Sequence, residues 1–329
     1  MSVFILTEVG KNIGFGHLSR CISICQSFQQ RNIVPKTILN IKGNYDLNLN
    51  QKYIDFDWIN EKDRLFKIIN NSDVVIIDSY LAPISLYQKI SSTVKIKAYI
   101  DDYQRLDYPE GIIINPSIFA EKLKYLKKRN TDYLLGSKYI PLRREFWYVP
   151  KRIIGNHIKQ ILITFGGEDI RNLTPQIINT VIKNTTDIKI AVIIGKGFIY
   201  IDQIKKVQNN RVKLTYYPSE KIVKSLMIKS DLAISAGGQT LYELARCGIP
   251  TIAISTARNQ ENNIRGWLKI GFIECAGCWE DKDLFVNLLN KIDILKDLNE
   301  RKNRSALAKK LVDGQGAERI VTWLEQKFL

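Results

Sequence analysis

Only two histidines occur in the 329 residues, His17 and His157. His17 stands in Gly14-Phe15-Gly16-His17-Leu18-Ser19-Arg20, just after a first apolar run and at the opening of a helix-forming stretch. An imidazole titrates near neutral pH and suits general acid–base work. Glycines at such a turn let the backbone bend tightly and approach a ligand, and the amino end of the helix favours an anion or a polar group. A histidine that merely caps the helix is the competing reading. The Gly-x-Gly pattern stops short of a dinucleotide fingerprint, because Ser19 occupies the third glycine position and no acidic residue ends the second strand near Leu39. No nicotinamide cofactor is therefore expected. His157 lies in a basic, irregular stretch and reads as a surface residue.

The second half repeats the theme without a histidine. Asp231–Pro250 contains a buried strand, the pair Gly237-Gly238, a helix beginning near Gln239-Thr240, then Glu243 and Gly248-Ile249-Pro250. Unpaired amides at that helix start can hold a diphosphate, and a carboxylate one turn in can accept both hydroxyls of a ribose. An ordinary strand–turn–helix unit with a solvated glutamate is the alternative. Ile161–Asp169 again runs from a strand into Gly166-Gly167, where Asp169 or Asn172 could cap the next helix. Asp78-Ser79-Tyr80 and Asp101-Asp102-Tyr103 each end a predicted strand, positions that face the binding crevice of an open α/β sheet. Tyr80 is the candidate for a substrate hydrogen bond, while Asp101 and Asp102 read first as caps. Asn259-Gln260 follows a further strand; its amides suit sugar hydroxyls or a water, or the cap of a helix. No cluster of ligand spacing points to a metal, and the single pair Cys275-Ala-Gly-Cys278 is half of a structural zinc site at most.

These residues need elements to hold them. Val3–Thr7, Lys36–Leu39, Val74–Asp78, Lys95–Ile100 and Gly111–Ile114 read as strands, with Leu18–Gln30 and Ile84–Ser91 as helices between them. Unbroken β-branched runs such as Val74–Ile77 fit strands buried on both faces of a parallel sheet. A second series starts near residue 160: strands Gln160–Thr164, Ile188–Ile194, Val212–Tyr216, Leu232–Ser235 and Thr251–Ile254, with helices Leu173–Lys183, Ile222–Lys229 and Leu241–Cys247. Alternating strands and helices predict an α/β chain of two doubly wound, Rossmann-like domains. The aperiodic Trp147–His157, with Pro150 and Gly155, reads as the linker. We assign residues 1–148 to a domain carrying the histidine loop and 149–329 to a nucleotide-binding domain that ends in an amphipathic helix over Gln315–Leu329.

Composition narrows the class. Hydrophobic residues make up 45%, ordinary for a globular chain, and the apolar runs are far too short to span a bilayer. The start lacks the pattern of a signal peptide, so a cytoplasmic protein is expected. Five cysteines, an odd number in a long chain, do not suggest a disulfide framework. The net charge of +16 calls for an anionic partner. The lysines are spread out and accompany no nucleic-acid motif, so a phosphorylated substrate or weak peripheral contact with anionic lipid fits better than nucleic acid. A monomer is expected.

Taken together, Gly14–Arg20, Ile77–Tyr80, Ile100–Asp102, Tyr139–Phe146, Phe165–Asp169, Ile234–Glu243 and Asn259-Gln260 resemble, in order and spacing, the PseG family. These are UDP-2,4-diacetamido-2,4,6-trideoxy-β-L-altropyranose hydrolases of pseudaminic acid biosynthesis. The resemblance implies a GT-B fold similar to that of MurG, a UDP-sugar glycosyltransferase, with two Rossmann-like domains facing each other across a cleft. It implies metal-independent hydrolysis at the anomeric carbon, without a cofactor, and a UDP-sugar as the substrate. The family's catalytic histidine, tyrosine and asparagine match His17, Tyr80 and Asn259. Its nucleotide-binding turn and glutamate match Gly237, Gly238, Gln239, Thr240 and Glu243. We further assign substrate binding to Gly14, Gly16, Arg20, Arg143, Gly166, Gly167 and Gln260. The chain departs from the family pattern at Arg144, Glu168 and Tyr103, which touches the identity of the sugar more than the fold. A glycosyltransferase on the same fold is the rival reading.

Overall fold

The alternating apolar and amphipathic runs become, in a computed structural model, two parallel sheets flanked by helices. Residues 1–10, 13–43 and 52–328 are described. The first unit contains β1 (Val3–Gly10), α1 (Gly16–Gln30), β2 (Lys36–Lys42), β3 (Tyr53–Asp55), α2 (Lys62–Ile69), β4 (Val74–Asp78), α3 (Ile84–Thr93), β5 (Ile96–Ile100), β6 (Gly111–Asn115) and β7 (Thr131–Leu135). Among the described residues its strands form one parallel sheet of order β3-β2-β1-β4-β5-β6-β7. Residue alternation explains the unbroken apolar runs. Val3, Ile5, Val74 and Ile76 enter one core cluster, while Phe4, Leu6, Val75 and Ile77 enter another. A strand buried on both faces has no polar side to show.

The second unit contains β8 (Gln160–Thr164), α4 (Leu173–Asn184), β9 (Lys189–Ile194), α5 (Ile201–Lys206), β10 (Val212–Tyr216), α6 (Glu220–Lys229), β11 (Leu232–Ala236), α7 (Thr240–Cys247), β12 (Thr251–Ser255), α8 (Glu261–Ile270), β13 (Ile273–Cys278), α9 (Leu284–Ile294) and α10 (Leu298–Leu311). Its parallel sheet has the order β10-β9-β8-β11-β12-β13. Each sheet reverses direction between its first and fourth strands, β1/β4 and β8/β11. Ligands of open α/β sheets bind outside the carboxyl ends of strands at such a switch point.

The division of the chain differs from the expected 1–148 and 149–329. The units are Met1–Arg144 with Gly314–Leu329, and Glu145–Asp313. The last helix, α11 (Gly316–Phe328), therefore belongs to the first unit, not the second. Its apolar stripe is the reason: Ile320, Val321 and Leu324 join the core cluster of β1 and α1. Glu318 accepts a hydrogen bond from Ser27 of α1 at 3.1 Å and also pairs with Arg31. At the helix start, a Cβ on Gly316 would lie 2.1 Å from the Ile140 carbonyl oxygen, so only glycine fits there.

Candidate active site

In the first unit the site is built on one face of α1. His17, Arg20 and Cys21 stand at i, i+3 and i+4, neighbours on a helix surface. All three meet Asp78, the last residue of β4. His17 Nδ1 lies 2.5 Å from Asp78 Oδ1. Arg20 grips the same carboxylate with Nε (2.5 Å) and Nη2 (2.7 Å), and the Cys21 thiol lies 3.6 Å from Oδ2. The other edge of the Arg20 fork takes Asp102 through Nη1 (2.6 Å) and Nη2 (3.0 Å). One guanidinium thus holds two carboxylates, each bidentately, the strongest form of this pairing. Asp102 in turn accepts the hydroxyl proton of Tyr80, whose ring stands edge-on to the His17 imidazole at 4.2 Å.

His17, Arg20 and Asp78 are all buried. Burial alone would push the Asp78 carboxyl up, but the Arg20 guanidinium and His17 outweigh it and hold it well below the usual carboxylate range. Asp102 is lowered for the same reason: burial opposes ionisation, and Arg20 overcomes it. An ionised carboxylate can only accept, so the proton between His17 and Asp78 sits on Nδ1. Arg20 Nη2 also lies 3.0 Å from Nδ1. As both nitrogens then carry hydrogen, that is a close contact rather than a bond. In the neutral imidazole the lone pair then lies at Nε2, for which no described residue is a hydrogen-bond partner. This is the tautomer that can take a proton from a reactant.

A second buried carboxylate positions the Tyr80 turn. Glu8, at the end of β1, accepts from the Ser79 hydroxyl (2.6 Å) and from the amides of Tyr80 (2.7 Å) and Leu81 (3.0 Å). Glu8 was not expected in the site, and Asp102, at a crevice-facing strand end, read first as a cap. The signal for Glu8 was an acidic residue inside an otherwise apolar strand. Asp101 is a cap as expected, accepting from the amides of Gln104 (2.8 Å) and Arg105 (3.1 Å), but its neighbour Asp102 belongs to the histidine cluster. The Tyr80 hydroxyl donates to Asp102, which leaves its oxygen lone pairs to accept a hydrogen bond. Burial, then Asp102, push the Tyr80 phenol well above its ordinary range, so it stays protonated. Gly14 adopts φ +79° in the loop before α1, a left-handed conformation that favours glycine, and Gly16 begins the helix. Arg143 is half-buried and stands one residue before the end of the first unit's main segment.

In the second unit the corresponding place is the turn between β11 and α7. A Cβ on Gly238 would meet nothing within 4 Å, so this part of the turn is open. Gly237 differs: a Cβ there would lie 2.5 Å from Ile264 of α8. Its amide donates to Gln260 Oε1 at 3.1 Å. The same oxygen accepts from the Thr256 amide (3.1 Å) and hydroxyl (3.2 Å). The Gly237 amide and the Gln260 carbonyl thus satisfy each other within the unit, while the Gln260 Nε2 amide takes no part in these bonds. Thr240 opens α7 beside Gly166, whose Cβ would stand 3.2 Å from the Thr240 hydroxyl, and Gly166 takes φ +76°. Gly167 accepts from the Gly197 amide at 2.9 Å, so two glycine loops pack backbone to backbone. Asp169 caps α4 through the amides of Leu173 (3.0 Å) and Thr174 (2.8 Å), whereas Asn172 is left-handed at φ 52°. Gln239 precedes α7 and Glu243 is buried in its first turn. Asn259 is exposed on a short 3₁₀ turn, Arg258–Gln260.

Among the described residues no helix is long and apolar enough to cross a membrane. Residues 160–313 match the Glycosyltransferase family 28 C-terminal domain. The chain is 28% identical over 284 residues to the uncharacterized protein MJ1062 of Methanocaldococcus jannaschii, covering 82% of this chain and 58% of that protein. It is 26% identical over 267 residues to a Helicobacter pylori protein named pseudaminic acid cytidylyltransferase and UDP-2,4-diacetamido-2,4,6-trideoxy-beta-L-altropyranose hydrolase, covering 79% of this chain and 45% of that one. The chain thus spans about half the length of these two relatives. In structure it superposes on Acinetobacter baumannii MurG with a TM-score of 0.67 at 10% identity, covering 99% of this chain and all of MurG, a likeness of fold. The protein has the GT-B fold, and its second unit carries the match to the family 28 C-terminal domain.

Proposed function

We propose that the protein hydrolyses a nucleotide sugar, releasing UDP from a UDP-2,4-diacetamido-2,4,6-trideoxyhexose. The observation that carries this reading is the His17–Asp78 pair. A buried, ionised carboxylate fixes the Nδ1–H tautomer, so Nε2 is the base. In the reaction, Nε2 takes one proton from a water as the water oxygen forms a bond to C1 of the sugar. The C1–O bond to the β-phosphate breaks on the opposite face, and its electron pair leaves with UDP. The configuration at C1 inverts. The imidazolium that forms faces Asp78, which compensates its charge. The open part of the turn at Gly238 and the amino end of α7 are the place for the diphosphate, and Glu243 for the ribose. Asn259 would orient the sugar or the water. The 26% identity to a protein named as such a hydrolase supports the substrate class.

A glycosyltransferase is the second reading. It is favoured by the family 28 match and by Leu126, which stands exposed among the exposed Lys122, Lys124, Lys127 and Arg129, a surface that suits an anionic acceptor. Incubation with UDP-diacetamido sugars, followed by NMR of UDP and of the sugar anomer, separates the two. UDP release without acceptor supports hydrolysis, and dependence on added acceptor supports transfer. His17→Gln is expected to lower turnover by about 10²–10⁴-fold while UDP binding stays near normal. Undiminished turnover in that variant would end the assignment of His17.

A further inference from the structure

The Gly237 turn is held from outside its own strand and helix. Gln260, Asn263 and Ile264 stand at i, i+3 and i+4 where α8 begins, on one helix face. Gln260 takes the Gly237 amide at 3.1 Å. Asn263 Nδ2 donates to the Gly237 carbonyl at 2.7 Å and lies 3.5 Å from that of Gly238. Ile264 fills the space where a Gly237 side chain would be. Asn263 is itself fixed, since the Tyr242 hydroxyl donates to its Oδ1 at 2.7 Å. Tyr242 lies in α7, so the clamp ties the turn to the helix that the turn opens. Its ring packs on Trp267 of α8 at 5.3 Å.

Both polar groups of Gly237 are therefore satisfied by side chains of the next helix. With one bond on the peptide before Gly237, one on the peptide after it and a close apolar contact between, the residue has one orientation. If it rotated, the following residues, Gly238 to Thr240, would turn with it and re-aim the amides at the start of α7. We infer that Asn263 is a positioning residue for nucleotide binding: with Gln260 it locks the Gly237 peptide so that the amino end of α7 keeps the geometry a diphosphate requires. The inference rests on reading that helix start as the diphosphate site.

Three variants test it. Asn263→Leu keeps the bulk and removes both bonds. Asn263→Asp keeps the acceptor for Tyr242 but replaces the donor facing Gly237 with an oxygen. Tyr242→Phe removes the hydroxyl that fixes Asn263 and keeps the ring that packs on Trp267. UDP affinity is read by calorimetry, kcat at saturating UDP-sugar, melting temperature by circular dichroism, and amide exchange by mass spectrometry on peptides spanning residues 232–241. The expected result is UDP affinity weaker by about 10-fold in the Leu and Asp variants and about 3-fold in the Phe variant. The rise is expected in KM with kcat nearly unchanged, and exchange around Gly237 is expected to quicken. A global stability loss would move the melting temperature without this split. Wild-type UDP affinity in folded Asn263→Leu, or in Tyr242→Phe if the Leu variant does not fold, would overturn the role. Unchanged exchange at Gly237 would overturn the clamp itself. Absence of UDP binding by the unmodified protein would instead overturn the diphosphate reading, so the two failures are distinguishable.

Discussion

The two units share a strand order and a switch point but use them differently. In the first, α1 places His17, Arg20 and Cys21 on the end of β4, and the contact is ionic. In the second, α8 places Gln260, Asn263 and Ile264 on the residue after β11, and the contact is between neutral amides and backbone. Both are i, i+3, i+4 faces closing on the fourth strand of a sheet. The difference is in what each makes available. In the proposed function the ionic contact orients a side chain for proton transfer, and the amide contact fixes a backbone turn so that a helix start can bind an anion. One parallel-sheet edge can thus carry chemistry or carry binding, according to the side chains that the adjacent helix lays upon it.

The contrast can be broken by substitution. The largest effect is expected at Asp78. Asp78→Asn offers an N–H where the carboxylate offered only lone pairs, and lets His17 take the other tautomer. Turnover should fall by about 10²–10⁴-fold with UDP affinity near normal, as judged by kcat and by calorimetry. Equal turnover would mean that the pair does not set the base. Next is Arg20→Met, which leaves two carboxylates without their cation. A loss of about 3–5 kcal/mol in urea unfolding is expected. No second-unit residue of the clamp should approach that figure, because no charge is stranded there.

Smaller effects sharpen the glycine roles. Gly237→Ala puts a methyl 2.5 Å from Ile264 and should destabilise by about 1–3 kcal/mol. Gly238→Ala enters open space, so its thermal stability should change little while UDP binding weakens. If both variants melted alike, the close packing at Gly237 would be unimportant. Finally, pH should act mainly on the first unit. Asp78 and Asp102 are held low, so their stabilisation is complete above about pH 4, where the unfolded carboxylates titrate, and is lost as pH falls below it. Tyr80, Tyr87, Tyr99, Tyr108 and Tyr125 are held high by burial, all in the first unit. Above about pH 10 the unfolded chain releases phenolic protons that the folded one keeps, so stability falls as pH rises. In the second unit, burial pushes Cys247 up to about 12 and also raises Cys275, an effect of the same sign from two thiols. Thermal melts with unit-specific proteolysis across pH 8–11 should show the first unit failing more steeply.

Periodicity and turn chemistry made most of the architecture legible. The runs Val3–Thr7, Val74–Asp78 and Gln160–Thr164 are strands, and the His17 loop and the Gly237 pair both lie at carboxyl ends beside a switch point. These are local signals: apolar spacing, glycines, a helix start. The short strand Tyr53–Asp55 and the helix Glu261–Ile270 were not read, since one is brief and half-exposed and the other is strongly polar on one side. Nor could the return of Gly316–Phe328 to the first unit be read, because an amphipathic stripe says that a helix packs, not on what.

The sequence by itself determined that His17 sits at a glycine-bordered helix start, that a second such turn follows in the other half, and that both belong to parallel α/β sheets. Only the tertiary structure decided which groups stay available. Asp78 and Asp102 are 58 and 82 residues from Arg20 in the chain, and Gln260 is 23 from Gly237. Such partners meet only when strands far apart in sequence become neighbours in a sheet. That meeting leaves a lone pair on His17 while closing off the Tyr80 hydroxyl proton and the Gly237 amide. Hydrogen-bond capacity is finite, and whether a group binds a ligand depends on what the fold has already bound to it.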